Sequence, residues 1–177
     1  MSFKAIKVKR TMSNYKEILE IYKNSFPKVE RFPIILLQLM SHLKGINFVA
    51  FYDDDKLCGF SYFLQNEETV FILFLAVNDK IRSRGYGSQI ISWIKDNYPG
   101  RKIFLDAEKL DDNAANNNQR IKRIEFYKRN GIFQTNQFFT YDNVTYEILC
   151  TDKNFNEEDY NKNLVSYFKI FKKKRKR

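Results

Sequence analysis

The sequence predicts an α/β fold of the α+β type, in which a mixed, mostly antiparallel, twisted sheet is flanked by helices. Residues 70–77 form an unbroken apolar run rich in β-branched and aromatic side chains, as expected of a central strand buried on both faces. Residues 47–52 and 57–64 precede it as strand-like segments with short polar connections, which indicates an antiparallel meander. Segments with helical spacing of apolar residues lie on either side of this block along the chain.

The first predicted elements are a strand and a helix. Residues 3–8 alternate between apolar and polar side chains, a pattern typical of a strand. Asn14, followed by Glu17 three residues later, has the form of a capping box at a helix start. An apolar stripe then extends to Phe26, and Pro27 ends the helix because proline has no N–H to continue it.

A second helix is predicted over residues 34–43. Pro33 suits the first position of this helix, and Gly45 gives it a C-terminal stop. The three aspartates at 53–55 predict a hairpin turn between strands, because a calcium loop would also need a glycine and a distal glutamate. Residues 66–68 then turn the chain into the central strand.

The C-terminal half alternates between helices and strands. Residues 88–95 and 120–129 show helical spacing, and the polar stretch 111–119 predicts a loop. Asn130 and Gly131 give the second of these helices a C-terminal stop. The predicted strands of this half are residues 102–107, 132–135, 137–141 and 144–150, with a turn at 142–143.

The chain has 177 residues, which suits one domain with a sizeable core. We assign this domain to residues 1–150, and an amphipathic helix with a basic tail to residues 151–177. A net charge of +10 favours anionic partners such as a phosphorylated ligand. The terminal K-K-K-R-K-R is expected to be a disordered, solubilising end, and binding to nucleic acid, an acidic membrane or a transport receptor is the alternative.

Cys58 and Cys150 are the only cysteines, and we expect both to be buried, reduced thiols. Because the chain has a single histidine, its sequence shows no cluster of metal ligands, and no metal is expected. The N-terminus lacks an apolar signal region, and no apolar run approaches the length of a membrane span. We therefore expect a soluble, cytoplasmic protein without a membrane partner.

The strand at 70–77 is followed by a basic turn with two glycines, R-S-R-G-Y-G, and then by a helix. This order suits an anion site, because a helix N-terminus presents unpaired N–H groups and the positive end of the helix dipole. Gly85 and Gly87 lack a Cβ, so a phosphate can approach the backbone closely. The turn lacks the Gly-Lys-Ser/Thr of a P-loop, and Ile90 stands where a dinucleotide fingerprint needs a third small residue.

Two segments together resemble the GNAT superfamily of N-acetyltransferases. Arg82, Gly85 and Gly87 form the pattern R-x-x-G-x-G after a strand ending L-A-V, which resembles the family's pyrophosphate loop. The segment F-Y-K-R-N-G at 126–131 resembles a second family segment, in the family's order and approximate spacing. The resemblance spans most of residues 3–150. It implies the acyl-CoA N-acyltransferase fold and transfer of acetyl from acetyl-CoA to a primary amine, by direct attack in a ternary complex.

The resemblance also implies which residues bind acetyl-CoA. The central strand would separate from its neighbour after Leu75, which leaves backbone groups to bind the pantetheine arm and one N–H to act as oxyanion donor. The turn and the start of the helix would bind the pyrophosphate. The implied cofactor-binding residues are Leu75, Ala76, Val77, Arg82, Ser83, Arg84, Gly85, Tyr86, Gly87 and Ser88.

The resemblance assigns catalytic roles to a few side chains. Tyr127 is the implied general acid for the departing thiolate, and a core tyrosine on a helix face is the competing interpretation. Many relatives place a glutamate base in the central strand, where this chain has Leu73. Glu108 is the first substitute, Glu30 the second and Asp106 the third, and a plain surface carboxylate is the favoured interpretation for the last two. Two other possibilities stay open: a base that acts through a water molecule, and a reaction that needs no base because the amine has a low pKa.

Arg120 stands where many relatives carry asparagine, so it would either contact a CoA phosphate or be exposed. The first two helices and their link would form one wall of the acceptor pocket. This makes Glu30 and Arg31 candidates to meet the substrate, although a solvated link is the favoured interpretation for Arg31. The end of the strand at 102–107 and the last hairpin would form the remaining walls.

The resemblance leaves the acceptor open. The expected partner is a small-molecule or peptide amine, no nucleic acid is expected, and the active form would be a monomer or a homodimer. The alternative function is a non-catalytic acyl-CoA-binding or nucleic-acid-binding module that keeps the fold. The leucine at position 73 is the observation that supports this alternative.

Overall fold

The computed structural model describes residues 3–81, 84–155 and 160–161. Strands and helices in these ranges alternate largely as predicted, and a short 3₁₀ turn, Asp79–Ile81, follows the central strand. The helices are α1 (Tyr15–Ser25), α2 (Ile34–Met40), α3 (Tyr86–Asn97) and α4 (Asn117–Arg129). The strands are β1 (Phe3–Lys7), β2 (Ile46–Asp53), β3 (Lys56–Gln65), β4 (Thr69–Val77), β5 (Lys102–Glu108), β6 (Phe133–Tyr141) and β7 (Val144–Cys150).

The strands form one seven-stranded sheet in the order β1-β2-β3-β4-β5-β7-β6. Four neighbouring pairs are antiparallel: β1 with β2, β2 with β3, β5 with β7, and β6 with β7. The predicted fold, a mixed sheet flanked by helices, is confirmed. No helix in the described ranges is both long enough and apolar enough to cross a bilayer.

The chain divides into two compact units. The first comprises the described residues up to Asn66 together with Ile72–Pro99, and the second comprises Glu67–Phe71 and the described residues from Gly100 onward. The strand β4 therefore contributes its first residues to the second unit and the rest to the first. Each unit has its own core of buried side chains.

The core of the first unit is built on β2 and β3, which are buried at almost every position. The α3 side chain Trp93 packs edge-on against Phe51 at 5.3 Å between ring centroids. The α1 side chain Tyr22 packs against Phe60 at 6.1 Å. Because Phe60 pairs with Ala50, the neighbour of Phe51, the two phenylalanines point to opposite faces. The two helices thus cover opposite faces of this strand pair, which explains the nearly continuous apolar sequence.

The core of the second unit is centred on β5. Ile103, Phe104 and Leu105 are each no more than 1% exposed, so both faces of the strand are covered. The Phe104 ring stacks on Phe71 at 4.9 Å and on Phe155 at 4.9 Å. Parallel aromatic rings at this distance add to the free energy gained by burying apolar area.

Two predictions about helix ends in the first unit are wrong. The side chain of Asn14 does not cap α1, and its Nδ2 atom donates a hydrogen bond of 2.7 Å to the Tyr52 hydroxyl. The helix α2 ends at Met40, before the predicted limit at residue 43. Gly45, with φ of 84°, instead precedes β2, and its carbonyl accepts a hydrogen bond from the N–H of Gln65 at the end of β3.

The prediction of two separate strands at 132–135 and 137–141 is also wrong. They are one strand, β6, with a bulge around Asn136, which has φ of 58°. The buried Glu147 on β7 stabilises the bulge, because its carboxylate accepts hydrogen bonds from Gln134 Nε2 at 2.6 Å and from the Asn136 N–H at 3.3 Å. The helix α4 begins at residue 117, inside the predicted loop.

The predictions for the aspartate turn and the cysteines are confirmed. Residues 53–55 lie at the β2–β3 hairpin turn, and Asp54 has φ of 52°. Cys58 and Cys150 are free and fully buried, and burial raises the pKa of both thiols. The amphipathic helix is predicted over residues 156–171, of which only Tyr160 and Asn161 are described, and these two are helical. The basic tail lies outside the described residues.

We expect Gly59→Ala to destabilise the protein and to loosen the end of β4. A Cβ at this position would overlap the Ala76 carbonyl oxygen, and both groups belong to sheet backbone that cannot move without breaking the pairing. The loss should be roughly 1–3 kcal/mol in urea unfolding, with faster amide hydrogen exchange at the end of β4.

Gly100→Ala is the matched control. Gly100 has φ of 76° and open space around it, so alanine there adds backbone strain without a clash. Gly100→Ala should lower the stability of the protein and leave amide hydrogen exchange in β4 unchanged. Equal exchange rates in both variants would contradict the proposed contact between β3 and β4.

Candidate active site

The end of β4 alternates between buried and half-buried side chains. Ala76 is buried, whereas Leu73, Leu75 and Val77 are half-buried. The Leu73 side chain is apolar and has no group to accept a proton, so it does not supply the base that the resemblance implies for many relatives at this position.

Asn78 fixes the point at which β4 gives way to the loop. It is 4% exposed, and its N–H donates a hydrogen bond of 2.8 Å to the Cys58 carbonyl. Its side-chain amide donates to the Leu57 carbonyl at 3.0 Å and to Glu17 Oε1 on α1 at 3.1 Å. The oxygen of the same side-chain amide, Oδ1, accepts a hydrogen bond of 3.2 Å from the Lys80 N–H. One buried amide thus joins β3, α1 and the 3₁₀ turn.

The loop continues into α3 through a left-handed residue. Arg82 and Ser83 lie outside the described residues, and Arg84 is exposed. Gly85 is the N-cap of α3 with φ of 78°, and no side chain of the described residues caps the helix there. A Cβ built on Gly85 meets no described atom within 4 Å, so conformation rather than crowding favours glycine. Among the described residues, Gly85 is exposed at the start of the helix.

Tyr86 attaches the start of α3 to the β2–β3 hairpin. Its hydroxyl donates a hydrogen bond of 2.8 Å to Asp53 Oδ2, and this bond raises the pKa of Tyr86. Tyr86 and Gly87 are buried and Ser88 is half-buried, so Tyr86 would contribute its backbone N–H to an anion rather than its side chain. The combination of an exposed arginine, a left-handed glycine and an uncapped helix start suits a phosphate group.

The second unit holds Tyr127, which lies on α4 and is 9% exposed. Burial raises the pKa of its phenol, and the positive charge of Arg123 one helical turn earlier opposes that shift. Its carbonyl accepts hydrogen bonds of 3.0 Å from the N–H groups of Asn130 and Ile132, which end the helix. The phenol therefore keeps its proton at neutral pH, as a general acid must.

Glu108 lies at the end of β5 and is tightly paired. Its carboxylate oxygens lie 3.0 Å from Arg120 Nη2 and 3.3 Å from Arg123 Nη1, and the Asn116 amide donates to both at 3.3–3.4 Å. Its side chain is 14% exposed. This geometry supports a clamp between β5 and the start of α4, and the role of Glu108 as a base stays a prediction.

Arg120 is neither exposed nor free to turn outward, which corrects one of the two expectations for it. Its side chain is 14% exposed. Besides Glu108, it donates to the Lys109 carbonyl at 2.6 Å and to Asn116 Oδ1 at 2.9 Å. These three hydrogen bonds use three of the five N–H donors of the guanidinium, and contact with a CoA phosphate stays a prediction.

The segment after β5 and the last hairpin line one groove, and their role as walls of an acceptor pocket stays a prediction. The groove has a volume of about 380 Å³. It is lined by the three residues that follow β5, by one residue of α4 and by the β6–β7 hairpin, namely Lys109, Leu110, Asp111, Arg120, Asn143, Val144 and Thr145.

The link between α1 and α2 is exposed at residues 27–29, and its later part is attached to α1. The Phe32 N–H donates a hydrogen bond of 2.9 Å to the Tyr22 hydroxyl, and burial raises the pKa of Tyr22 to about 12. Arg31 is half-buried and its Nε atom is buried without a hydrogen-bond partner among the described residues, so the expected solvated position is wrong. Glu30 is half-buried in the preceding turn, where its N–H donates to the Pro27 carbonyl at 3.0 Å.

Asp106 is not the surface carboxylate that the sequence favoured. It is half-buried on β5, its Oδ2 atom accepts a hydrogen bond of 2.9 Å from the Tyr160 hydroxyl, and its Oδ1 atom is buried. Burial raises the pKa of Asp106 to about 7, and the bond from Tyr160 opposes that shift. The carboxyl group therefore titrates near neutral pH.

Residues 44–131 match the family model described as "Acetyltransferase (GNAT) domain". This segment includes both the glycine turn and the F-Y-K-R-N-G motif. The chain contains a GNAT acetyltransferase domain. The predicted resemblance is thereby confirmed, and a comparison with curated protein sequences gives no significant match.

Solved structures support the GNAT fold over the length of the chain. A protein from Bacteroides thetaiotaomicron assigned to the GNAT acetyltransferases is 20% identical, with a TM-score of 0.72 and coverage of 95% of this chain and 96% of its own. An aminoglycoside 6'-N-acetyltransferase complexed with coenzyme A is 14% identical, with a TM-score of 0.62 and coverage of 82% and 94%. A GNAT acetyltransferase from Elizabethkingia anophelis with acetyl-CoA bound is 11% identical, with a TM-score of 0.55 and coverage of 84% and 96%.

Several contacts of the candidate site residues have only weak signals in the sequence. Asn78 follows β4 in an Asn-Asp pair, which indicates a turn but gives no hint of a buried amide with several partners. Asp53 belongs to a hairpin turn, and its bond to Tyr86 joins residues far apart in sequence. Tyr160 belongs to the predicted C-terminal amphipathic helix, and its bond to Asp106 has no sequence signal.

We expect Asp106→Asn to remove a pH dependence from the stability of the GNAT protein. The pKa of Asp106 is raised in the folded state, so between about pH 4 and pH 7 the folded state binds more protons than the unfolded state. The stabilising effect of its protonation is therefore complete below pH 4 and lost as pH rises through 7. In urea unfolding, the stability of Asp106→Asn relative to wild type should increase from pH 5 to pH 8. A difference that is constant with pH would contradict the burial of this carboxyl group.

Proposed function

We propose that this protein is an N-acetyltransferase that moves acetyl from acetyl-CoA to a primary amine by direct attack in a ternary complex. The observation that carries the proposal is the arrangement at the end of β4, where a loop with a left-handed glycine leads into an uncapped helix N-terminus. This arrangement binds phosphate groups through backbone N–H groups and the helix dipole. It lies within the segment that matches the GNAT domain.

The residues of the first unit fit the phosphate-bearing part of acetyl-CoA. Gly85, Tyr86 and Gly87 would offer backbone N–H groups to the pyrophosphate, and Arg84 adds an exposed positive charge. When bound, acetyl-CoA supplies an acetyl group activated as a thioester. Leu75, Ala76 and Val77 would hold the pantetheine arm through their backbone, as the family resemblance implies.

Tyr127 is the residue that we propose as general acid. The leaving group is a thiolate, and the pKa of its conjugate thiol is comparable to that of a phenol. A phenol is therefore a suitable proton donor for it. Burial in the protein raises the pKa of Tyr127, which ensures that the phenol is protonated before transfer. The nearby charge of Arg123 limits the rise and keeps the proton transferable.

Calorimetry with acetyl-CoA tests the cofactor site. Wild type should bind in the micromolar range, and Arg84→Glu/Gly85→Asp should lose binding, because both changes add negative charge at the helix N-terminus. Lys16→Glu/Gly100→Asp is the matched control, since it makes the same charge change at an exposed lysine and at a glycine with nearly the same φ. Failure of folded wild type to bind would overturn the acetyltransferase proposal.

Replacement of Tyr127 by phenylalanine tests the general acid. We expect kcat for amine acetylation to fall about 100-fold or more, with the affinity for acetyl-CoA retained, because the hydroxyl acts on the leaving group. Acetylated product should be followed by chromatography. Tyr98→Phe, at the opposite end of α3 from Gly85, is the control and should keep full kcat. A Tyr127→Phe enzyme as fast as wild type would show that the acid lies elsewhere.

A folded protein that binds acetyl-CoA and acetylates no amine would favour the alternative function, a non-catalytic acyl-CoA-binding module. The observation behind this alternative is Leu73 on β4, at the position where the family has a base. Nucleic-acid binding would be tested separately by retention on DNA and RNA over a salt series, with and without residues 172–177.

A further inference from the structure

The link between α1 and α2 contains an arginine whose charge has no partner among the described residues. Arg31 is half-buried, and its guanidinium forms no hydrogen bond or ion pair with any residue that the structure describes. Arg120, which is also half-buried, shows the ordinary arrangement, because its guanidinium has acceptors on Glu108, Lys109 and Asn116. A partly buried cation without an acceptor is unfavourable, since burial removes water that nothing in the protein replaces. The position of Arg31 is therefore suited to an anion supplied by a ligand.

The backbone around Arg31 is held in place by α1. The Tyr22 hydroxyl accepts a hydrogen bond of 2.9 Å from the Phe32 N–H and donates one of 3.2 Å to the Phe32 carbonyl. The Arg31 N–H donates to the Lys28 carbonyl at 3.4 Å. The positive charge of Arg31 acts on the Tyr22 hydroxyl and opposes the rise in its pKa that burial causes. The link is thus fixed at this point, and the arginine is positioned before a ligand binds.

The same link lies against the central strand. The Phe32 ring packs edge-on against Phe74 at 6.2 Å between centroids, and the Phe26 ring does so at 4.7 Å. Phe74 directly precedes Leu75, the first of the residues that we propose for the pantetheine arm. All of these residues belong to the first compact unit, which also contains the start of α3. A ligand at Arg31 would therefore bind in the same unit as the phosphate-bearing part of acetyl-CoA.

The side chains beside Arg31 can be reached by a ligand. Phe26 and Phe32 are half-buried, so part of each apolar side chain is accessible. Of the three guanidinium nitrogens of Arg31, only Nε is buried without a partner, which leaves the two outer nitrogens to meet an anion. The planar fork of a guanidinium matches the two oxygens of a carboxylate. The link thus offers one carboxylate-binding group beside apolar surface.

The anion at Arg31 belongs to one of the two substrates. The part of acetyl-CoA that we propose at Leu75 is the pantetheine arm, which carries no charge, and its phosphates are proposed at the turn before α3. The link contacts β4 at Phe74, beside the position of the uncharged arm. These assignments favour the acceptor as the source of the anion.

We propose that Arg31 binds a carboxylate of the acceptor and that Phe26 and Phe32 contact its apolar body. The acceptor is then an amine that also carries a carboxylate, such as an amino acid with an apolar or aromatic side chain. This inference rests on the proposed acetyltransferase function and specifies its substrate class.

The test is calorimetric titration with L-phenylalanine and with 2-phenylethylamine, which lacks only the carboxylate, in the presence of coenzyme A. Wild type should bind L-phenylalanine at least tenfold more tightly, because only this ligand forms charge-assisted hydrogen bonds with the guanidinium. Arg31→Gln should lose the preference. Arg10→Gln makes the same chemical change at an exposed arginine of the same unit and should bind both ligands as wild type does. Absence of L-phenylalanine binding by wild type, or equal affinity of wild type and Arg31→Gln for it, would overturn the site.

Two further measurements separate a binding role from a structural one. Because the Arg31 guanidinium has no partner in the described part of the chain, Arg31→Gln should keep the free energy of unfolding of wild type in urea. Arg31→Lys keeps the charge and loses the planar fork, so it should recover part of the preference for L-phenylalanine. A destabilised Arg31→Gln that still binds L-phenylalanine as wild type does would make the arginine structural and overturn the site.

The outcomes also separate the source of the anion and the proposed function. Weaker acetyl-CoA binding by Arg31→Gln, with unchanged affinity for L-phenylalanine, would assign a CoA phosphate to Arg31 and overturn the acceptor assignment. Binding of L-phenylalanine that requires Arg31, without transfer of acetyl to any amine, would overturn the acetyltransferase and support the carboxylate site. Acetyl transfer with the same KM for L-phenylalanine in wild type and Arg31→Gln would support the acetyltransferase and overturn the carboxylate site.

Discussion

The candidate cofactor site depends on how the end of β4 is held. The backbone of β4 at Ala76 approaches β3 so closely that only glycine fits at position 59. Two residues later, the buried amide of Asn78 bonds to β3, to α1 and to the start of the loop. The start of α3 is attached to the same strand pair through Tyr86 and Asp53. The strand end and the helix start are thus both fixed to the β2–β3 hairpin, and their N–H groups are pre-organised for a ligand.

In the second unit, two acidic residues of one strand have opposite environments. Glu108 lies at the end of β5, where α4 brings two arginines to it. Asp106 lies further inside, where aromatic rings exclude water and supply one hydroxyl. The first carboxylate is paired with two arginines, while burial raises the pKa of the second to about 7. The two environments follow from position along one strand, because α4 reaches Glu108 at the end of β5, whereas Tyr160 bonds to Asp106 further inside.

The sequence predicted those parts of the fold and site that depend on local chemistry. The strand β7 has its predicted bounds, and β4 and the glycine turn follow each other as expected, because apolar runs and glycines act within a few residues. The errors occur where a residue distant in sequence determines the local structure. Asn14 is a residue type that commonly caps helices, but its side chain instead forms a hydrogen bond with Tyr52 on β2. The Glu147 carboxylate on β7 accepts a hydrogen bond from the Asn136 N–H, and β6 therefore continues through the bulge as one strand. Asp106 looked like a surface acid because nothing in the local sequence shows that Tyr160 bonds to it.

The burial of both cysteines has a practical consequence for the study of this protein. Cys58 and Cys150 are the only thiols of the chain, and both are fully buried with raised pKa values, so they form little thiolate at neutral pH. A thiol-reactive dye added to the folded protein would therefore react slowly with it. Coenzyme A released by acetyl transfer would be the reactive thiol in such a mixture, and its coloured product would record turnover continuously. A cysteine introduced on the surface could likewise be labelled selectively without removal of the two native ones.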